Sequence, residues 1–117
     1  MQPFILTQKL TDFTDWLFPA VDKFPRAEKF ALCSQVKNSV YEIMRLSIRA
    51  QKARNKLQML YTVDVELEML RMLLRHAHAR KYLSTRKYEL SAVRMGEIGK
   101  IVGGLIKSAQ GRGSNSS

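Results

Sequence analysis

The chain is poor in the residues that staple, kink or interrupt a fold. It has one cysteine, Cys33, so no internal disulfide can form, and it reads as a reducing-compartment, cytoplasmic protein. It has three prolines and six glycines, and neither type occurs between Arg26 and Met95. Runs of β-branched residues are also missing, which excludes a sheet protein and leaves an all-α composition. No apolar run approaches the roughly 18 residues of a membrane span, and MQPFILTQKL makes a poor signal peptide because no basic stretch precedes a long apolar one. Acidic residues are the other scarcity. Ten Asp and Glu face twenty Lys and Arg, for a net charge of +10 in 117 residues.

What is present is an ordinary globular apolar content of 45%, too high for a disordered basic tail, in a length that suits one domain. Four helices can be drawn. The first runs from about Thr7 to Leu17, with Leu6, Leu10, Phe13 and Leu17 on one face and Pro19 and Pro25 bracketing its end. The second opens just after Pro25, with Arg26 to Glu28 in its first turn, and reaches about Arg54. Its seam is Cys33, Val36, Val40, Ile43, Ser47 and Ala50, with Phe30, Tyr41, Met44 and Ile48 beside it. The third extends from near Lys56 to near Tyr82 on Leu60, Val63, Leu67, Leu70, Leu74 and Ala77, and Asn55 is placed to break or cap the chain before it. The fourth starts with Ser84 or Thr85 as N-cap and runs to about Lys107, with Tyr88, Ala92, Met95, Gly99, Val102 and Ile106 as its inner stripe. Gly96, Gly99, Gly103 and Gly104 either permit close helix approach there or end the helix near Gly103.

Short connections between seams of 3-4 spacing imply an antiparallel up-down four-helix bundle over residues 1–108, followed by a flexible polar tail over 109–117. Met59, Met69, Met72 and Leu73 widen the apolar face of the third helix, as Tyr41, Met44 and Ile48 widen that of the second. Self-association would bury this surplus.

Catalytic and metal signatures are weak. His76 and His78 lie two apart and point about 200° away from each other on a helix, so one metal cannot take both. Asp64, Glu66 and Glu68 cluster early in the third helix, where acids favour the helix dipole and Glu68 stands at ion-pair spacing from Arg71. Cys33 reads as a small buried hydrophobe. There is no phosphate-cradling loop or nucleophile elbow. These features point to a non-enzyme with no cofactor and no metal.

The bases are more informative. Residues 1–25 carry net −1, whereas 26–54 carry +5, 55–83 carry +2 and 84–117 carry +4. Arg45, Arg49 and Lys52 recur at i, i+4, i+7, continued by Arg54 and Lys56. Arg71 and Arg75 make a second stripe with His78 and Tyr82. Arg80, Lys81, Arg86 and Lys87 meet where the third helix turns into the fourth, and Arg94 follows seven after Lys87. From Met44 to Lys56 no acid offsets five bases, so phosphate is the natural counter-charge. No base-reading motif accompanies them, which implies recognition of backbone and shape rather than sequence. A scaffold whose charge serves solubility or acidic proteins is the competing reading.

Specific phrases add to this. Lys23-Phe24-Pro25-Arg26-Ala27-Glu28-Lys29-Phe30-Ala31-Leu32 resembles the opening of the second helix in Avd, the accessory variability determinant of diversity-generating retroelements. The resemblance to Avd resumes at Asp64-Val65-Glu66-Leu67-Glu68-Met69-Leu70-Arg71 and Leu73-Leu74-Arg75-His76-Ala77. Leu83-Ser84 with Tyr88-Glu89, Glu97-Ile98-Gly99-Lys100 and Gly103-Gly104-Leu105-Ile106-Lys107 continue the series. The broader group includes four-helix proteins encoded in 23S ribosomal RNA intervening sequences, so an oligomeric bundle of that type with an RNA-related role is the alternative. The Avd resemblance implies a basic, barrel-like homopentamer. It also implies a non-catalytic accessory protein that binds a reverse transcriptase and its template-repeat RNA or cDNA in mutagenic retrohoming.

If phosphate is the counter-charge, the affinity for RNA falls steeply with salt, by roughly 0.7 to 0.9 log units per neutralised phosphate per log unit of salt. A titration from 50 mM salt upward checks this, and no measurable affinity at 50 mM would favour the scaffold.

Overall fold

The computed structural model describes the backbone of residues 3–115 and the side chains of residues 5–111. Four α-helices account for most of it: α1 (Pro3–Val21), α2 (Leu32–Lys52), α3 (Leu57–Ala79) and α4 (Thr85–Asn115), with a short 3-10 helix at Arg26–Glu28 between α1 and α2. Among the described residues there is no strand. Each helix packs on two others, in the cyclic order α1–α2–α3–α4–α1, with no close pairing across the diagonals. Short connections make the helices alternate in direction, which is the up-down bundle that the seam spacing implies. Its long dimension is 53 Å.

The seams of α2 and α3 are buried at every position expected from the sequence, and Leu6, Leu10, Phe13 and Leu17 of α1 join them. Val36, Val63, Leu67, Ile43 and Val102 are almost completely withdrawn from water. The polar groups carried into this core are satisfied locally. The Thr14 and Ser47 hydroxyls donate to the carbonyls of Leu10 and Ile43, each at 2.7 Å, and Ser91 donates to Tyr88 O at 2.6 Å. No described buried side-chain polar atom is left without a partner, so the core carries no uncompensated desolvation.

Several boundaries differ from the sequence expectation. The first helix continues past Leu17 to Val21, with Pro19 inside its last turn. Val21 is fully buried, and seating it requires one more helical turn. That burial outweighs the single backbone donor that proline removes near a helix end. The second helix does not open at Arg26. The chain makes the 3-10 turn first, and α2 begins at Leu32, where the Glu28 carboxylate accepts the Leu32 N–H at 3.3 Å.

The third helix stops at Ala79, short of Tyr82. Tyr82 N donates to Ala77 O and Lys81 N to His78 O, both at 2.9 Å, and Lys81 takes the left-handed conformation at φ 65°. This is a Schellman closure with lysine where glycine is usual. Ser84 is the N-cap of α4, its hydroxyl accepting from Lys87 N at 3.1 Å.

The inner stripe of α4 is also corrected. Ser91, Met95, Ile98 and Val102 are buried, whereas Ala92 is exposed. The helix does not end at Gly103 or Lys107. It runs through Gly103 and Gly104 to Asn115, so most of the expected 109–117 tail is helical, and Ser116 and Ser117 lie outside the described residues. Gln110 Nε2 donates to Tyr61 OH at 2.8 Å and ties this extension to α3. Of the described glycines, only Gly99 is crowded. A Cβ there would lie 3.0 Å from Arg71 Nη2.

Leu67→Ala is expected to lower stability by about 2–5 kcal/mol, because it opens a cavity in a site the bundle cannot easily collapse. Val93→Ala, at an exposed position of α4, stays within about 0.5 kcal/mol of wild type. Urea denaturation of the two variants measures the difference.

Candidate nucleic-acid interface

The bundle has no room for charge inside, so the bases are carried outward. On α2, the side facing α3 bears Ser39, whose hydroxyl donates to Glu66 Oε1 at 3.4 Å. The side facing α1 bears Lys37, which pairs with Asp22 at 2.5 Å. The remaining outer surface presents Arg45, Arg49 and Lys52, all exposed, with the half-exposed Ile48 among them. Arg45 also pairs with Glu42 one turn earlier. Such a surface pair contributes little and does not hold the guanidinium away from a stronger anion.

Beyond α2, Arg54 is exposed but Lys56 is not disposed in the same way. The Lys56 ammonium donates to Ala50 O at 3.0 Å and Gln51 O at 2.9 Å, capping the carbonyl end of α2. Asn55 contributes at this turn as expected, its Oδ1 accepting from Leu57 N at 3.3 Å.

The second stripe is divided by its packing. The Arg71 guanidinium pairs with Glu68 at 2.6 Å, the ion pair that the i,i+3 spacing suggests, and its other nitrogen lies 3.5 Å from Met95 O on α4. Arg71 therefore lies across the α3–α4 seam, over the space that Gly99 leaves. Arg75 is exposed. His78 turns to α4 instead of joining a free basic face. Its ring stacks on Tyr88 at 4.5 Å and 8°, and Nε2 is 3.2 Å from Thr85 Oγ1.

Arg80, Lys81, Arg86 and Lys87 gather at the α3–α4 turn and are all exposed. Glu28 brings another element to the same pole. Its Oε2 accepts from Tyr82 OH at 2.9 Å, while Tyr82 packs on Phe24 with ring centres 5.6 Å apart. The 3-10 turn and its exposed bases Arg26 and Lys29 therefore sit beside the Arg80–Lys87 cluster. Arg80 Nη2 lies 3.4 Å from Tyr82 OH, and this hydrogen bond raises the already high guanidinium pKa.

The sequence pattern alone does not single out Trp16, Arg26 and Lys29. Lys87 and Arg94 flank the Trp16 ring at 5.1 and 4.8 Å from its centre, and Arg94 is half-buried by that contact. The only sequence signal for this arrangement was the bundle order that lays α4 along α1.

Chemically, the site offers charge and little else. The three acids read as structural include Glu66 and Glu68, which bind Ser39 and Arg71. Cys33 is buried, its Sγ donating to Val21 O at 3.4 Å, and burial pushes its thiol pKa up. Among the described residues, no three His, Cys, Asp or Glu side chains converge on a possible metal position, and no helix is long and apolar enough to cross a membrane.

A comparison with protein families adds an independent finding. A family model described as bAvd-like matches residues 4–109, nearly the whole bundle. No curated protein matches the chain.

Reversing Arg45, Arg49 and Lys52 to Glu is expected to weaken nucleic-acid binding strongly while leaving helix content unchanged by circular dichroism, since all three lie outside the core. Lys56→Met behaves differently. It lowers stability by about 1–2 kcal/mol by uncapping two carbonyls, and its effect on affinity in an anisotropy titration is small.

Proposed function

The chain belongs to the bAvd-like family, and from that premise we propose that it binds the reverse transcriptase of a diversity-generating retroelement together with its template RNA or cDNA. Family membership supports an accessory role in such an element, and it carries the reading. In this role the protein is non-catalytic. The polymerase performs the chemistry, and this chain holds nucleic acid and partner in register.

The exposed bases support the nucleic-acid part. Arg45, Arg49, Lys52, Arg54 and Arg75 lie along the bundle, and Arg80, Lys81, Arg86 and Lys87 lie at one pole. They meet phosphates by charge-assisted bonds and counterion release, without reading bases. Lys56, Arg71 and Arg94 serve mainly to hold helix ends and seams, which positions the others.

Self-assembly is the third element, with five copies implied by the Avd resemblance. Its support is the outer face of α3. Tyr61, Val65, Met69 and Met72 recur there at 4-4-3 spacing and are all exposed, Val65 to 66% and Met72 to 60%. Gln58, Thr62 and His76 complete that face without an acid, Lys or Arg. Copies that each carry +10 repel one another at most approaches, and a charge-free apolar face is where contact costs least.

Co-purification with the reverse transcriptase of a diversity-generating retroelement tests the reading. Association at low salt in the presence of template RNA is expected, and its absence under those conditions overturns the proposal. For the assembly, Val65→Lys with Met72→Lys is expected to reduce the particle mass measured by light scattering to that of smaller species. An unchanged mass moves the interface off α3.

A further inference from the structure

The turn between α1 and α2 encloses a cleft of about 640 Å³, lined among others by Arg26, Lys29, Phe30, Cys33, Lys37 and Tyr41. Phe30 is 89% exposed. A phenylalanine left in water forgoes roughly 1.5–3 kcal/mol of burial, and this one is held outward by a hydrogen-bonded turn. Lys29 N donates to Arg26 O at 3.1 Å and Ala31 N to Glu28 O at 3.0 Å. The Glu28 side chain is itself fastened to Leu32 N and Tyr82 OH. The ring is therefore presented on a braced turn, with little ordering left to do when a ligand arrives.

The surroundings of the ring narrow the chemistry of that ligand. The Lys29 ammonium is 5.4 Å from the Phe30 ring centre. Tyr41, half exposed, is propped edge-on by Phe18 at 5.4 Å and 85°. The one acid on the cleft wall, Asp22, is neutralised by Lys37 at 2.5 Å. Arg26 and Lys29 form no ion pair among the described residues. The cleft thus combines flat aromatic surface with unbalanced positive charge. A nucleotide matches both features, offering a π-face for the ring and a phosphate for the bases. A paired duplex does not match, because its bases are stacked on one another and only its phosphates are within reach.

We propose that this cleft is a subsite for single-stranded nucleic acid, in which one unpaired base stacks on Phe30 and the adjoining phosphates lie against Arg26 and Lys29. The inference rests on the nucleic-acid reading above and deepens it. The α2 stripe of Arg45, Arg49 and Lys52 meets any phosphate backbone, whereas the cleft adds a preference for unpaired strands.

The test uses the full chain and two labelled probes of equal length, a single-stranded RNA and its duplex, followed by anisotropy at fixed low salt. Phe30→Leu is expected to weaken single-strand binding by about tenfold, the loss of one stacked base, and to change duplex binding less than twofold. Phe30→Trp retains the single-strand affinity. The α2 triple charge reversal weakens both probes together. Equal effects of Phe30→Leu on the two probes, or none on either, overturn the subsite while the nucleic-acid reading survives. So does a changed particle mass or a lost protein partner with an unaltered single-strand-to-duplex ratio, which would assign Phe30 to a protein contact. If the wild-type chain binds neither probe, the nucleic-acid reading itself fails. Phe30 lies outside the core, so circular dichroism of the variants is expected to match wild type.

Discussion

The structure depends on one constraint, that four apolar seams must be buried against one another along their full length. Each seam is a 3-4 repeat, and a helix with such a stripe cannot persist alone in water. Once α2 and α3 lie antiparallel, α1 and α4 have one remaining groove each to close, and the cyclic order of the bundle follows. Val21 illustrates the strength of the requirement, because its burial carries α1 through Pro19 for a further turn.

The same constraint distributes the charge. A bundle this narrow has almost no interior beyond its seams, so every lysine and arginine must reach the surface or find a partner on the way. Lys56 and Arg71 find partners, on the carbonyl end of α2 and across the α3–α4 seam. Arg45, Arg49 and Lys52 do not need to, because the outer face of α2 is bounded by neither α1 nor α3. The result is a surface that carries an exposed basic stripe on α2 and a charge-free apolar face on α3.

The pole near Glu28 adds a second level of organisation. The helices α1 and α3 do not pack directly, yet Glu28 and Phe24 reach Tyr82 across the end of the bundle. This fastens the α1–α2 turn to the α3–α4 turn and gathers bases from both. It also braces Phe30, whose exposure has no explanation in the packing of the bundle.

The sequence by itself determined the fold class and the inner faces of α2 and α3, because 3-4 spacing is a local property and Leu60 through Ala77 have only one way to line a helix. It also determined that Arg45, Arg49 and Lys52 share a face. It could not determine which bases remain open. Arg45 and Arg71 stand in similar local patterns, each three after a glutamate, but only Arg71 has α4 beside it. Nor could it show that Ser91 and Ile98 flank Met95 in the core in place of Ala92, since that depends on how α4 rotates against two neighbours at once. Trp16 between Lys87 and Arg94, and Glu28 bonded to Tyr82, join residues more than fifty positions apart. Tertiary structure alone decided these contacts, because they exist only after the seams have closed and brought the ends of distant helices together.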